Sequence, residues 1–66
     1  MEIKLNGKNT EIPAGATVQA MLDELGFVQK MLVVEVNLQI LQKENFASHV
    51  LQEGDEVEVI TFVGGG

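Results

Sequence analysis

Apolar and polar residues alternate from the start of the chain. Ile3 and Leu5 fall on one side, Glu2 and Lys4 on the other, the period-two pattern of a half-buried strand over residues 2–6. Asn6-Gly7 follows, a two-residue hairpin signal because both types tolerate positive φ. Thr10 and Ile12 continue a second short strand, which Pro13 ends for want of an N–H, and Gly15 helps the chain to turn. The period then changes. After Thr17, a candidate N-cap, Val18, Met21, Leu22 and Leu25 recur at i, i+3, i+4 and i+7, one apolar face of a helix. Gln19, Asp23 and Glu24 cover its wet side, and Gly26 stands where a C′ glycine belongs. Residues 32–38 (LVVEVNL) are rich in β-branched types and predict a third strand, with Ile40-Leu41 as a short fourth. Residues 43–48 read as a brief helical turn with Phe46 tucked inward, and Glu53-Gly54-Asp55 as a turn. Residues 56–63 (EVEVITFV) alternate again and form the last strand.

The predicted order, β-β-α-β-β-β, places the chain in the α+β class, with one main helix on a mixed sheet of four to five strands. One helix must cover strands from opposite ends of the chain. The economical arrangement sets the first and last strands side by side at the sheet's centre, with the helix across one face. Nothing repeats and no linker divides the chain, so residues 1–63 read as one domain and residues 64–66 as a flexible glycine tail.

Size and charge then narrow the function. A chain of 66 residues buries only about 60% of the surface its unfolded form exposes, too little for a deep cleft inside a separate scaffold. A self-sufficient enzyme is not expected; a carrier, adaptor or binding module is. The net charge is −6, and the only cations are Lys4, Lys8, Lys30 and Lys43, scattered singly. Nucleic acid is excluded as a partner because its phosphates demand clustered cations. The absence of cysteine excludes disulfides, thiolate metal sites and a side-chain persulfide. Residues 1–7 (MEIKLNG) carry no apolar signal region, and no apolar run approaches the ~20 residues of a membrane helix. The expected setting is cytoplasmic, with no membrane partner.

Single residues add little chemistry. His49 has no second ligand near it in sequence, Met21 and Met31 read as core filler, and Phe27 and Phe46 as structural. Asp23-Glu24 are neighbours that point apart on a helix. On the last strand, Val57, Val59 and Thr61 share one face, while Glu56, Glu58, Ile60 and Phe62 share the other. If the valines lie under the helix, Ile60 and Phe62 lie on the open face beside the tail, with Val33 extending them. They are then either a docking patch or apolar residues covered by loops. Glu53, Asp55, Glu56 and Glu58 read as a solvated acidic edge, with contact to a basic partner as the alternative.

The chain closes on Gly64-Gly65-Gly66. Glycines cannot pack or hold a strand, and ordering them costs entropy; a frayed end is one reading. The other is chemical. Such a tail extends about 10 Å, presents no side chain, and fits a channel too narrow for any Cβ. Its carboxylate could be activated by a second enzyme through a good leaving group. Without cysteine, sulfur could be carried only as a thiocarboxylate on Gly66.

Along its whole length the sequence resembles the ThiS family of sulfur carriers. The matching pieces are MEIKLNGK at the start, VEVNLQIL (34–41), LQEGDEVEVITFV (51–63) and the closing VGGG. A diglycine end is shared with the small subunit of molybdopterin synthase and with ubiquitin. The length, the third strand ending at Asn37 and the Gly-Asp turn favour ThiS. The resemblance implies a ubiquitin-like β-grasp fold. It implies that a ThiF-like enzyme adenylates Gly66 with its own ATP and magnesium, the carrier binding no cofactor. A cysteine desulfurase would supply sulfur, and a ThiG-like thiazole synthase would receive it, with Gly64 and Gly65 threading the partners' active sites. The alternatives are a carrier for another pathway, such as the molybdopterin type, and a noncatalytic β-grasp interaction domain.

Overall fold

The structure, a computed structural model, describes residues 1–27 and 31–62. The strands are β1 (Glu2–Leu5), β2 (Lys8–Glu11), β3 (Leu32–Val36), β4 (Gln39–Leu41) and β5 (Glu56–Thr61), with one helix, α1 (Val18–Glu24), and a 3₁₀ turn at Lys43–Asn45. The sheet order is β2-β1-β5-β3-β4. β1 runs parallel to β5, and every other neighbouring pair is antiparallel. First and last strands thus lie side by side, as the element order requires. The expected tail, residues 64–66, lies outside the described residues, as do Val63 and the Gln29-Lys30 loop.

One face of the sheet is covered. Ile3, Val34, Val57 and Val59 point under α1, where Val18, Met21 and Leu22 meet them, and Ile12, Phe46 and Leu51 close the sides. Seven large side chains are almost wholly removed from water. Burying each contributes about 1.5–3 kcal/mol, which is how so short a helix is held.

The helix ends are built as the residues dictate. Thr17 is extended, and its hydroxyl accepts the Ala20 N–H at 3.1 Å. At the other end Gly26 takes φ +78°. Its N–H donates to the Asp23 carbonyl at 3.2 Å while the Phe27 N–H reaches the Leu22 carbonyl at 2.9 Å, the paired bonds of a Schellman stop. Leu25 is the cap residue itself and is 40% exposed. Its place on the buried face, expected from periodicity, is therefore corrected: the helix stops before that position turns inward. Met31 is likewise 58% exposed and not core filler, whereas Met21 is buried as expected.

β3 is shorter than the β-branched run suggested. It stops at Val36, and Val36 pairs with Gln39 across a two-residue turn, Asn37-Leu38. Both turn residues have positive φ, +51° and +70°, the signature of a type I′ hairpin. Asn6-Gly7 joins β1 to β2 in the same way, with Leu5 opposite Lys8. The result is a mixed sheet grasping one helix, the β-grasp arrangement.

Candidate functional site

β5 is the strand from which the chain leaves for its tail, and two asparagines clasp it. Asn6 accepts the Val59 N–H at 2.8 Å and donates back to the Val59 carbonyl at 3.4 Å. Its side chain continues the ladder where the β1 backbone turns away. Asn37 accepts the Glu56 N–H at 3.0 Å through its side chain, and its own N–H donates to the Glu56 carbonyl at 2.7 Å. Both are turn residues, chosen by φ, whose amides also hold β5 in place.

The open face lies opposite the helix. There Val33 stands directly across from Ile60. Ile60 is 42% exposed, Phe62 is 53% exposed, and Val33 is half-buried. Among the described residues no loop covers Ile60 or Phe62, and the strand register sets Ile60 beside the half-buried Val33. Phe62 lies beyond the end of β5, yet its N–H still donates to the Met31 carbonyl at 2.9 Å, extending the pairing by one residue. It is the last described residue, so Gly64, Gly65 and Gly66 lie outside the described residues.

Sequence reasoning missed two members of this face. Ile40 pairs with Glu35 and is as open to water as any residue of the expected patch. Leu38 is 85% exposed at the hairpin tip. Neither could be placed until the turn was located, because moving a turn by one residue reverses every side chain after it.

The four acidic residues separate into two kinds. Asp55 accepts the Gln52 N–H at 2.8 Å and the Asn37 amide at 3.1 Å, and Glu53 accepts the Glu2 N–H at 3.0 Å. These two fix the turn that aims β5. Glu56 and Glu58 are exposed on the open face.

A cavity of about 320 Å³ lies elsewhere, between β4 and residues 49–52, lined by Val36, Leu41, His49, Val50 and Gln52 among others. It is open and shallow in chemistry. No group of three His, Cys, Asp or Glu able to hold a metal occurs among the described residues. No helix among them is long and apolar enough to cross a membrane.

Known proteins share this arrangement. The model of the ThiS family matches residues 3–66. A thiazole synthase from Paramagnetospirillum magneticum is 38% identical over all 66 residues, which make up 20% of that protein. The chain thus spans about one fifth of the length of that relative. The sulfur carrier protein ThiS of Escherichia coli is 32% identical over the full length of both chains. The crystal structure of the thiamine biosynthesis protein ThiS from Geobacter metallireducens superposes with a TM-score of 0.85 at 32% identity, covering all of both chains.

Proposed function

The chain belongs to the ThiS family of sulfur carriers of thiamine biosynthesis, and we propose that it works through the carboxylate of Gly66. The supporting observation is that the family match runs to residue 66 from a strand clasped on both flanks. The fold anchors β5, and the glycines that follow it in sequence carry no side chain. The reading of a thiamine-pathway carrier, rather than one serving another pathway, is supported by the full-length relatives that are themselves ThiS sulfur carriers.

The chemistry follows from the poor electrophilicity of a carboxylate. In a ThiF-like partner, which brings ATP and magnesium, a Gly66 oxygen attacks the α-phosphorus and pyrophosphate leaves. The acyl-adenylate now has a good leaving group. The terminal sulfur of a persulfide, formed by a cysteine desulfurase, displaces AMP and gives an acyl disulfide. A thiol of the sulfur-relay partner then resolves it, releasing the Gly66 thiocarboxylate and leaving a disulfide behind. The thiocarboxylate donates sulfur to a ThiG-like thiazole synthase. In this reading the partner enzymes supply the catalytic groups, and the chain supplies the acyl group. Gly64 and Gly65 thread the partners' active sites, and Val33, Ile60 and Phe62 form the docking contact beside them.

The test is ATP–pyrophosphate exchange by a ThiF-like enzyme. The full chain is expected to support exchange, and deletion of Gly65-Gly66 to abolish it without changing the melting temperature. Equal exchange with both chains, or none with a competent enzyme, rejects the proposal.

A further inference from the structure

Of the four asparagines, Asn6, Asn9, Asn37 and Asn45, only Asn6 is followed by glycine. The side-chain carbonyl carbon of an asparagine and the main-chain nitrogen of the next residue can close a five-membered ring. Closure needs a nitrogen that is not crowded and an amide free to swing into a near-attack position. Gly7 meets the first condition. It has no side chain, its φ is +83°, and the place where a Cβ would stand is empty to 4 Å. It is exposed, and it lines a hollow of about 110 Å³ with Lys4, Glu35, Leu38, Glu56 and Glu58, so water reaches the turn.

The fold withholds the second condition. The Asn6 N–H donates to the Val57 carbonyl at 2.8 Å. Its Oδ1 accepts the Val59 N–H at 2.8 Å, and its Nδ2 donates to the Val59 carbonyl at 3.4 Å. The amide that would have to swing onto Gly7 is therefore the amide that holds β5. Asn37 is the matched comparison. Its φ is +51° against +50° for Asn6, and its amide is also bonded, to the Glu56 N–H and to Asp55. The bulky Leu38 follows it, however, and crowds the nitrogen that would attack.

We infer that Asn6 is a site of spontaneous deamidation that the β5 clasp holds shut. When the clasp opens, the Gly7 nitrogen attacks Cγ of Asn6. The new N–C bond forms, the Cγ–Nδ2 bond breaks, and ammonia leaves with the proton that Gly7 gives up. Water then opens the succinimide. Opening at one carbonyl gives aspartate at position 6, and opening at the other gives isoaspartate, with the main chain routed through the former side chain. The net change is one water taken up and one ammonia released, with no oxidant and no further reactant. Neither product can rebuild the clasp. A carboxylate has no N–H to donate to the Val59 carbonyl. Isoaspartate also adds a main-chain atom to a two-residue turn whose length sets the strand register. Deamidation therefore loosens the strand that leads to the glycine end.

The experiment holds the full chain at mildly alkaline pH, folded and in unfolding concentrations of urea, and follows peptide masses with time. Isoaspartyl methyltransferase labels the isoaspartate. In urea a gain of about 1 Da should appear at Asn6 well ahead of Asn9, Asn37 and Asn45. In the folded chain it should be slower by roughly tenfold or more, because two side-chain hydrogen bonds must open first. Sub-denaturing urea that speeds amide exchange at Val59 should speed the folded-state gain in proportion. Asn6→Asp makes one product directly and should raise Val59 exchange by roughly threefold or more. Asn9→Asp, the same charge change at an exposed β2 position, should leave that exchange as it is. Equal rates in folded and unfolded chains overturn the inference. So does an Asn6 that reacts no faster than Asn37 in urea, or Val59 exchange that Asn6→Asp leaves unchanged. Each readout is taken on the chain alone, so none of these outcomes decides the carrier reading.

Discussion

Asparagine 6 shows how much one side chain can do in a chain of 66 residues. It adopts φ +50° in the first hairpin turn and at the same time makes both hydrogen bonds to Val59 that the departing β1 backbone no longer makes. Glycine would satisfy the turn but not the clasp. Asn6→Gly is therefore expected to cost about 1–3 kcal/mol, the penalty of stranding backbone polar groups, with faster amide exchange at Val59; an unchanged urea midpoint would contradict this. Leu38 is the opposite case. Its left-handed backbone is strained for a branched side chain that is almost fully in water. Leu38→Gly should relieve about 1 kcal/mol of that strain, read as a higher midpoint in urea unfolding. The sequence signalled the first turn and hid the second for one physical reason. Asn-Gly is cheap at two successive positive φ values, whereas Asn-Leu is not, so Leu38 read as one more strand residue.

At the scale of elements, most of the architecture was legible. The strand periods of β1 and β5, the change to helical period at Val18, the cap at Thr17 and the stop at Gly26 each follow from local chemistry. Thr17→Ala, which removes the oxygen accepting the Ala20 N–H, should cost about 1 kcal/mol in thermal or urea unfolding. What periodicity could not give was where an element ceases. Leu25 continues the apolar spacing but falls on the cap, and Met31 sits outside the sheet's covered side. The candidate site was half legible. Alternation on β5 put Ile60 and Phe62 on the open face, and pairing with β3 added Val33. Ile40 and the hollow near Glu35 depend on a hairpin register that only the folded sheet reveals. Glu53 and Asp55 were read with the other acids as one edge, yet their hydrogen bonds make them part of the turn.

At the scale of the molecule, the two sides of one sheet divide the labour. The helix side holds the core and supplies stability, within the ~0.05–0.15 kcal/mol per residue usual for small domains. The other side stays uncovered, apolar toward the strand end and acidic behind it, and β5 connects both to the glycine end. The central claim is that Gly66 carries sulfur as an acyl group. The most direct measurement is intact mass after incubation with ATP, cysteine, a cysteine desulfurase and a ThiF-like enzyme. Exchange of one terminal oxygen for sulfur should add about 16 Da, in the full chain and not in a chain lacking Gly66. No gain in the full chain, or the same gain without Gly66, would contradict the account.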